Sequence, residues 1–207
     1  MKLILGLFAS VGLLVAGLWY LSGMEEADPT ILEVKGSEWQ QGPSEAKVTL
    51  VEYADFECPA CAAYQSVLND IKETFKDNLR FVYRHFPLPM HRNGTAASLA
   101  SEAAGKQGKF WEMHDLLYKK QKEWGGKTVE DRGMFEKYAT ELGLNLDQFK
   151  ADMASDELRD KVEVQRSSGE DVNVRGTQTF FLNGEPVTNP NNAEAFKDLI
   201  RSKLEGK

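Results

Sequence analysis

The sequence predicts an α/β fold: a central mixed β-sheet flanked by helices, with an inserted all-helical domain. Three observations predict it. Two dense runs of β-branched and apolar residues, Val48–Tyr53 and Leu79–Arg84, bracket a segment whose apolar residues recur at helical spacing. A long helical pattern then runs from about Asn93 to Ser168. After it the strand texture returns at Thr179–Leu182 and a last helical pattern follows from Ala193. Strand, helix, strand in this order is the signature of a βαβ unit with parallel strands.

The first element is apolar. Leu3 to Leu21 is a run of 19 uncharged residues, with Lys2 before it, Trp19 and Tyr20 at its far end, and Glu25-Glu26 beyond. As a helix it would span about 28 Å, close to a bilayer core of about 30 Å. Lys2 on the short side favours a cytoplasmic start. Residues 1–24 are therefore expected to be a transmembrane anchor, or else a signal segment; Ser22-Gly23-Met24 is a poor cleavage site. The expected location is the cell membrane, single-pass, with the folded domain extracytoplasmic.

Residues 25–46 read as a tether, with an edge strand expected at Ile31–Val34. Residues 47–91 form the first half of the sheet domain. Val48–Tyr53 lacks clean alternation, which suits a central strand buried on both faces. Pro59 to Phe75 reads as helix and Leu79–Arg84 as the second strand. Residues 92–170 form the helical insertion, in pieces at about 94–107, 109–120, 128–142 and 146–166, the last with Asp147 as its expected N-cap. Residues 171–207 complete the sheet domain: Thr179–Leu182, an Asn183-Gly184 hairpin turn, Glu185–Thr188, and a helix to about Leu204.

Composition narrows the function. Charged residues make up 28% of the chain and the formal charge is −7, with no Lys/Arg-rich patch. That argues against nucleic acid, whose binding leans on a basic footprint.

Cys58-Pro59-Ala60-Cys61 holds the only two cysteines of the sequence. The pair follows a buried-strand pattern and opens a helix. A helix N-terminus has unpaired N–H groups and a positive end, both of which favour thiolate over thiol. Cys58 is expected to be the attacking and attacked sulfur, and Cys61, one turn in, the resolving one. A structural disulfide closing so short a loop would restrict the unfolded chain little. Zinc would need further ligands, and His85, His91 and His114 lack close spacing. Metal binding and an inert pair remain the alternatives; no cofactor is implied. Glu52, six residues before Cys58, is a candidate proton relay to Cys61, against the alternative of a surface carboxylate. Glu57 would oppose thiolate formation at its neighbour unless screened.

The sequence resembles the DsbA-like family of thioredoxin-fold proteins, especially its membrane-anchored prokaryotic branch. The resemblance covers about residues 42–204. It is carried by Val48-Thr49-Leu50-Val51-Glu52-Tyr53-Ala54-Asp55-Phe56-Glu57-Cys58-Pro59-Ala60-Cys61, Phe81–Leu88, Gly105–Leu117 and Gly176-Thr177-Gln178-Thr179-Phe180-Phe181-Leu182-Asn183-Gly184. It implies a thiol–disulfide oxidoreductase that oxidises dithiols of exported proteins and is re-oxidised by a membrane partner or small-molecule oxidants. It implies that Pro59, Ala60, Thr177 and Gln178 face the substrate. Fewer than 25 residues lie between the expected anchor and Val48, too few for the dimerisation domain of the family's isomerases, which favours a monomer. A reductase or isomerase, and a redox-weak module that binds metal or polypeptide, are the competing functions. One departure stands out. The family carries a cis-proline where this sequence has Gln178. A cis bond before a non-proline costs about 2.5–4 kcal/mol, so the Thr177–Gln178 bond is expected to be trans.

Overall fold

The computed structural model describes residues 29–127 and 132–206. Five strands form one sheet: β1 (Trp39–Gln41), β2 (Val48–Ala54), β3 (Leu79–His85), β4 (Thr179–Leu182) and β5 (Glu185–Val187), in the order β1-β3-β2-β4-β5. Helix α1 (Pro59–Thr74) joins β2 to β3, which pair in parallel from Val48↔Leu79 to Ala54↔His85. The other pairings are antiparallel. β2 and β3 are buried at every position but Thr49 and Arg80. That is why their sequences run apolar without alternating. Asn183 and Gly184 both take positive φ, 51° and 82°. These are the values a tight two-residue hairpin between β4 and β5 requires.

Between β3 and β4 lie α2 (Gly94–Gly105), α3 (Phe110–Lys119), α4 (Gln121–Trp124), α5 (Arg132–Glu141), α6 (Leu146–Met153) and α7 (Asp156–Asp171); α8 (Ala193–Leu204) closes the chain. α2 is buried along nearly its whole length and built of small residues, among them Ala96, Ala97, Ala100, Ala103 and Ala104. It is the axis on which α3, α6 and α7 pack. A mixed sheet flanked by helices, with a helical insertion, is the fold class the sequence predicts.

Several elements differ from expectation. Ile31–Val34 is not a strand: Pro29–Leu32 is a single 3-10 turn. The Arg84 guanidinium donates to the carbonyls of Ile31 at 2.8 Å and Glu33 at 3.1 Å, so a side chain rather than a strand ladder holds this stretch. The edge strand is β1 instead. It is fixed by Trp39, whose indole stacks on Phe110 at 4.5 Å and donates to Glu102 at 2.8 Å. The run expected as one helix over 146–166 is two, α6 and α7. Ala154 closes the first and Ser155 caps the second, its hydroxyl accepting from Leu158 N at 3.3 Å. The cap of α6 is Asn145, accepting from Gln148 N at 3.0 Å, not Asp147.

The expected membrane attachment is corrected. Among the described residues no helix is long and apolar enough to cross a membrane. The longest, α1 and α7, have 16 residues each. That is about 24 Å, short of a bilayer core of about 30 Å. Residues 1–24, on which the expectation rests, lie outside the described residues. The membrane-anchored branch, the single-pass location, the transmembrane signal-anchor and a membrane partner are accordingly set aside.

Candidate functional site

β2 delivers the chain to the sheet's C-terminal edge, where residues 55–58 turn into α1. Cys58 is the N-cap of α1, with extended backbone (φ −71°, ψ 119°), and Pro59 opens the helix. Proline fits there because its missing N–H would have had no partner within the helix. Pro59 and Ala60 are exposed; Cys61, one turn in, is fully buried, and Cys58 is 7% exposed. Both cysteines are free thiols.

The two sulfurs are driven apart in acidity. Cys58 is pulled down to about 5, first by the hydrogen bond from the Cys61 side chain. Burial opposes that, and the N–H groups of Cys61 and Ala60 reinforce it. Cys61 is held well above the usual thiol range, because its proton is shared with Cys58, because it is buried, and because Glu52 adds negative potential. Glu52 itself lies in β2 opposite Tyr83 and Phe180, fully buried, with neither carboxyl oxygen hydrogen-bonded. Burial pushes it up to about 8, while the Lys72 charge pulls the other way. It is no surface carboxylate; at neutral pH it is mostly protonated.

The loop before β4 faces Cys58. The Thr177 carbonyl lies 3.5 Å from Cys58 Sγ. The Thr177 hydroxyl and Gln178 Oε1 are buried without a hydrogen-bond partner. The Thr177–Gln178 bond is cis. The expectation of trans came from the preference of an isolated bond, whereas this loop is fixed on both sides, by Cys58 and by Asn189 Nδ2 donating to the Gln178 carbonyl at 2.8 Å. Cys58, Cys61, Thr177 and Gln178 thus come together, with Pro59 and Ala60 at the rim and Glu52 in the sheet below.

Residues beyond those expected hold the site. Glu57 turns away from the sulfurs: Oε2 accepts from Asn93 N at 2.6 Å and Oε1 from Gly126 N at 2.7 Å. Asp55 is fully buried and accepts from the N–H groups of Glu57 and Leu88, both at 2.8 Å. Gln121 on α4 donates to the carbonyls of Phe56 at 2.7 Å and Cys58 at 2.9 Å. Apart from the contact between Asp55 and the Glu57 N–H, these partners are distant in the chain, so the sequence offers no local signal for them. His114 packs among the rings of Phe56, Tyr83, Trp111 and Tyr118. Among the described residues no three His, Cys, Asp or Glu side chains are grouped so as to hold a metal ion.

Known proteins share this fold. The chain is similar to the alpha-DsbA1 of Wolbachia pipientis, with a TM-score of 0.78 and 19% identity over 86% of this chain and 96% of that one. It is similar to oxidised BdbD of Bacillus subtilis, with a TM-score of 0.72 and 23% identity over 82% and 94%. At such identities the likeness is one of fold. In sequence it is 40% identical over 169 residues to the Na(+)/H(+) antiporter NhaA 1 of Salinispora arenicola, covering 80% of this chain and 24% of that protein. The chain thus spans about a quarter of the length of the antiporters it matches. The family model described as thioredoxin matches residues 34–202, nearly all of the described fold, and the chain belongs to the thioredoxin family.

Proposed function

We propose that the chain is a thiol–disulfide oxidoreductase that oxidises dithiols of exported proteins through a Cys58–Cys61 disulfide. The observation that carries this is the split between the two sulfurs: Cys58 at about 5 and Cys61 well above the thiol range. A sulfur so stabilised as thiolate is a good leaving group, which makes the pair an oxidant. In one turnover a substrate thiolate attacks Cys58 Sγ. The Cys58–Cys61 bond breaks and Cys61 leaves with the electron pair, taking a proton from Glu52. The second substrate thiolate attacks the substrate sulfur of the mixed disulfide. Cys58 then departs as thiolate, leaving substrate oxidised and both cysteines reduced. Pro59, Ala60, Thr177 and Gln178 border the substrate.

The test is the reduction potential, measured in glutathione buffers with metal chelated. A value near about −120 mV is expected for an oxidase. A value near about −270 mV would overturn that direction and leave a reductase. The Glu52 role has its own check: if Glu52→Gln leaves the pH dependence of thiol exchange unchanged, Glu52 is no relay.

A further inference from the structure

The loop between β3 and α2 holds a contact that the exchange steps above leave unused. His91 Nδ1 lies 2.6 Å from Asp55 Oδ2. Asp55 is fully buried three residues before Cys58, and each of its carboxyl oxygens accepts a main-chain N–H, Oδ1 from Glu57 and Oδ2 from Leu88. A carboxylate so engaged accepts from the ring, which puts a proton on Nδ1 and leaves Nε2 as the nitrogen turned away from Asp55. The His91 side chain is 20% exposed. It lines a cleft of about 270 Å³ together with Pro59, the residue after Cys58, and Met90, which is 73% exposed. The charged groups around it are Asp55, which its ring meets, and Arg92, Lys127 and Glu57, which line the same cleft; the oxygens of Glu57 are taken by Asn93 and Gly126. A carboxylate-oriented imidazole thus shares a cleft with Pro59, the residue that follows Cys58.

We propose that His91, oriented by Asp55, is a general base for the incoming substrate thiol. This rests on the oxidoreductase function above. Nε2 takes the proton of the substrate S–H as its sulfur nears Cys58; the thiolate so formed attacks Cys58 Sγ and the Cys58–Cys61 bond breaks. The imidazolium then returns its proton to water. An alkyl thiol with pKa about 8.5 is only about 3% ionised at pH 7, so a base at the site can raise its rate at most about 30-fold. A thiol already ionised gains nothing from it.

The experiment mixes the oxidised protein rapidly with two thiols at pH 7: N-acetylcysteinamide, largely protonated, and thionitrobenzoate, already ionised. His91→Gln keeps an amide donor for Asp55 but has no basic nitrogen; His91→Ala leaves room for added imidazole. The ratio of alkyl-thiol rate to aryl-thiol rate should fall about tenfold in both variants. Imidazole should restore it in His91→Ala. A ratio equal to that of the unsubstituted protein, whether both rates fall together or neither moves, overturns the base. Failure of the unsubstituted protein to react with either thiol would instead defeat the oxidoreductase function itself.

Discussion

Glu52→Gln should change how stability depends on pH more than it changes stability at any one pH. Glu52 is fully buried, its carboxyl oxygens meet no donor, and burial raises it from an ordinary 4.5 to about 8. The folded state therefore holds this proton more tightly than the unfolded chain. The associated stability is fully present below pH 4.5 and is lost as pH rises towards 8. At about 1.4 kcal/mol per pH unit, the loss is about 3 kcal/mol by pH 7 and about 5 kcal/mol above pH 8. The amide of the variant does not titrate, so the variant escapes the loss and differs otherwise by a constant offset. Urea unfolding of both reduced proteins from pH 4 to pH 9 checks this. The stability of the variant minus that of the parent should climb by about 3 kcal/mol between pH 4 and pH 7 and flatten above pH 8. A difference constant to within about 1 kcal/mol across that range would show that Glu52 ionises in the fold as easily as in the open chain.

Three further outcomes follow from the same packing. Alkylation of the reduced protein by iodoacetamide should titrate at Cys58 with a midpoint near pH 5, while Cys61 stays unmodified at neutral pH; mass spectrometry of the labelled peptides reads both. Glu102→Gln should cost about 3 kcal/mol or more in urea unfolding. The reason is that the buried Glu102 carboxylate is shared by Trp39 at 2.8 Å, His85 at 3.1 Å and Lys161 at 2.7 Å. Gln121→Met keeps the length of the side chain but removes both hydrogen bonds to the turn before α1. It should cost about 1–3 kcal/mol and be visible as a lowered denaturation midpoint at unchanged slope.

The sheet was legible in the sequence where burial alone decides it. β2 and β3 are covered on both faces, so their composition announces them, and Asn183-Gly184 announces the β4–β5 hairpin because few other pairs adopt two positive φ values. The cysteine pair was legible because its spacing and its place before a helix are local facts. β1 was not: Trp39-Gln40-Gln41 becomes a strand through Phe110 and Glu102, more than sixty residues on. Nor were the supports of the site. Apart from the Glu57 N–H that Asp55 accepts two residues on, the donors that fix Asp55 and Glu57 lie 33 to 69 residues away. The break between α6 and α7 had a local signal in Ser155-Asp156-Glu157, a capping residue followed by two acids. The continuous apolar periodicity masked it.

Glu57 sets a limit on how this protein could be shortened or recombined. The strand order alone would tolerate a brief connection from β3 to β4. Yet the residue next to Cys58 keeps its carboxylate satisfied by donors from two points of the intervening stretch, Asn93 and Gly126. Excising the helices would remove both donors from the residue beside the sulfur. A chimera that trades this insertion for another must bring equivalent N–H groups or change position 57 at the same time, so the boundary of the exchangeable unit is drawn by charge rather than by shape.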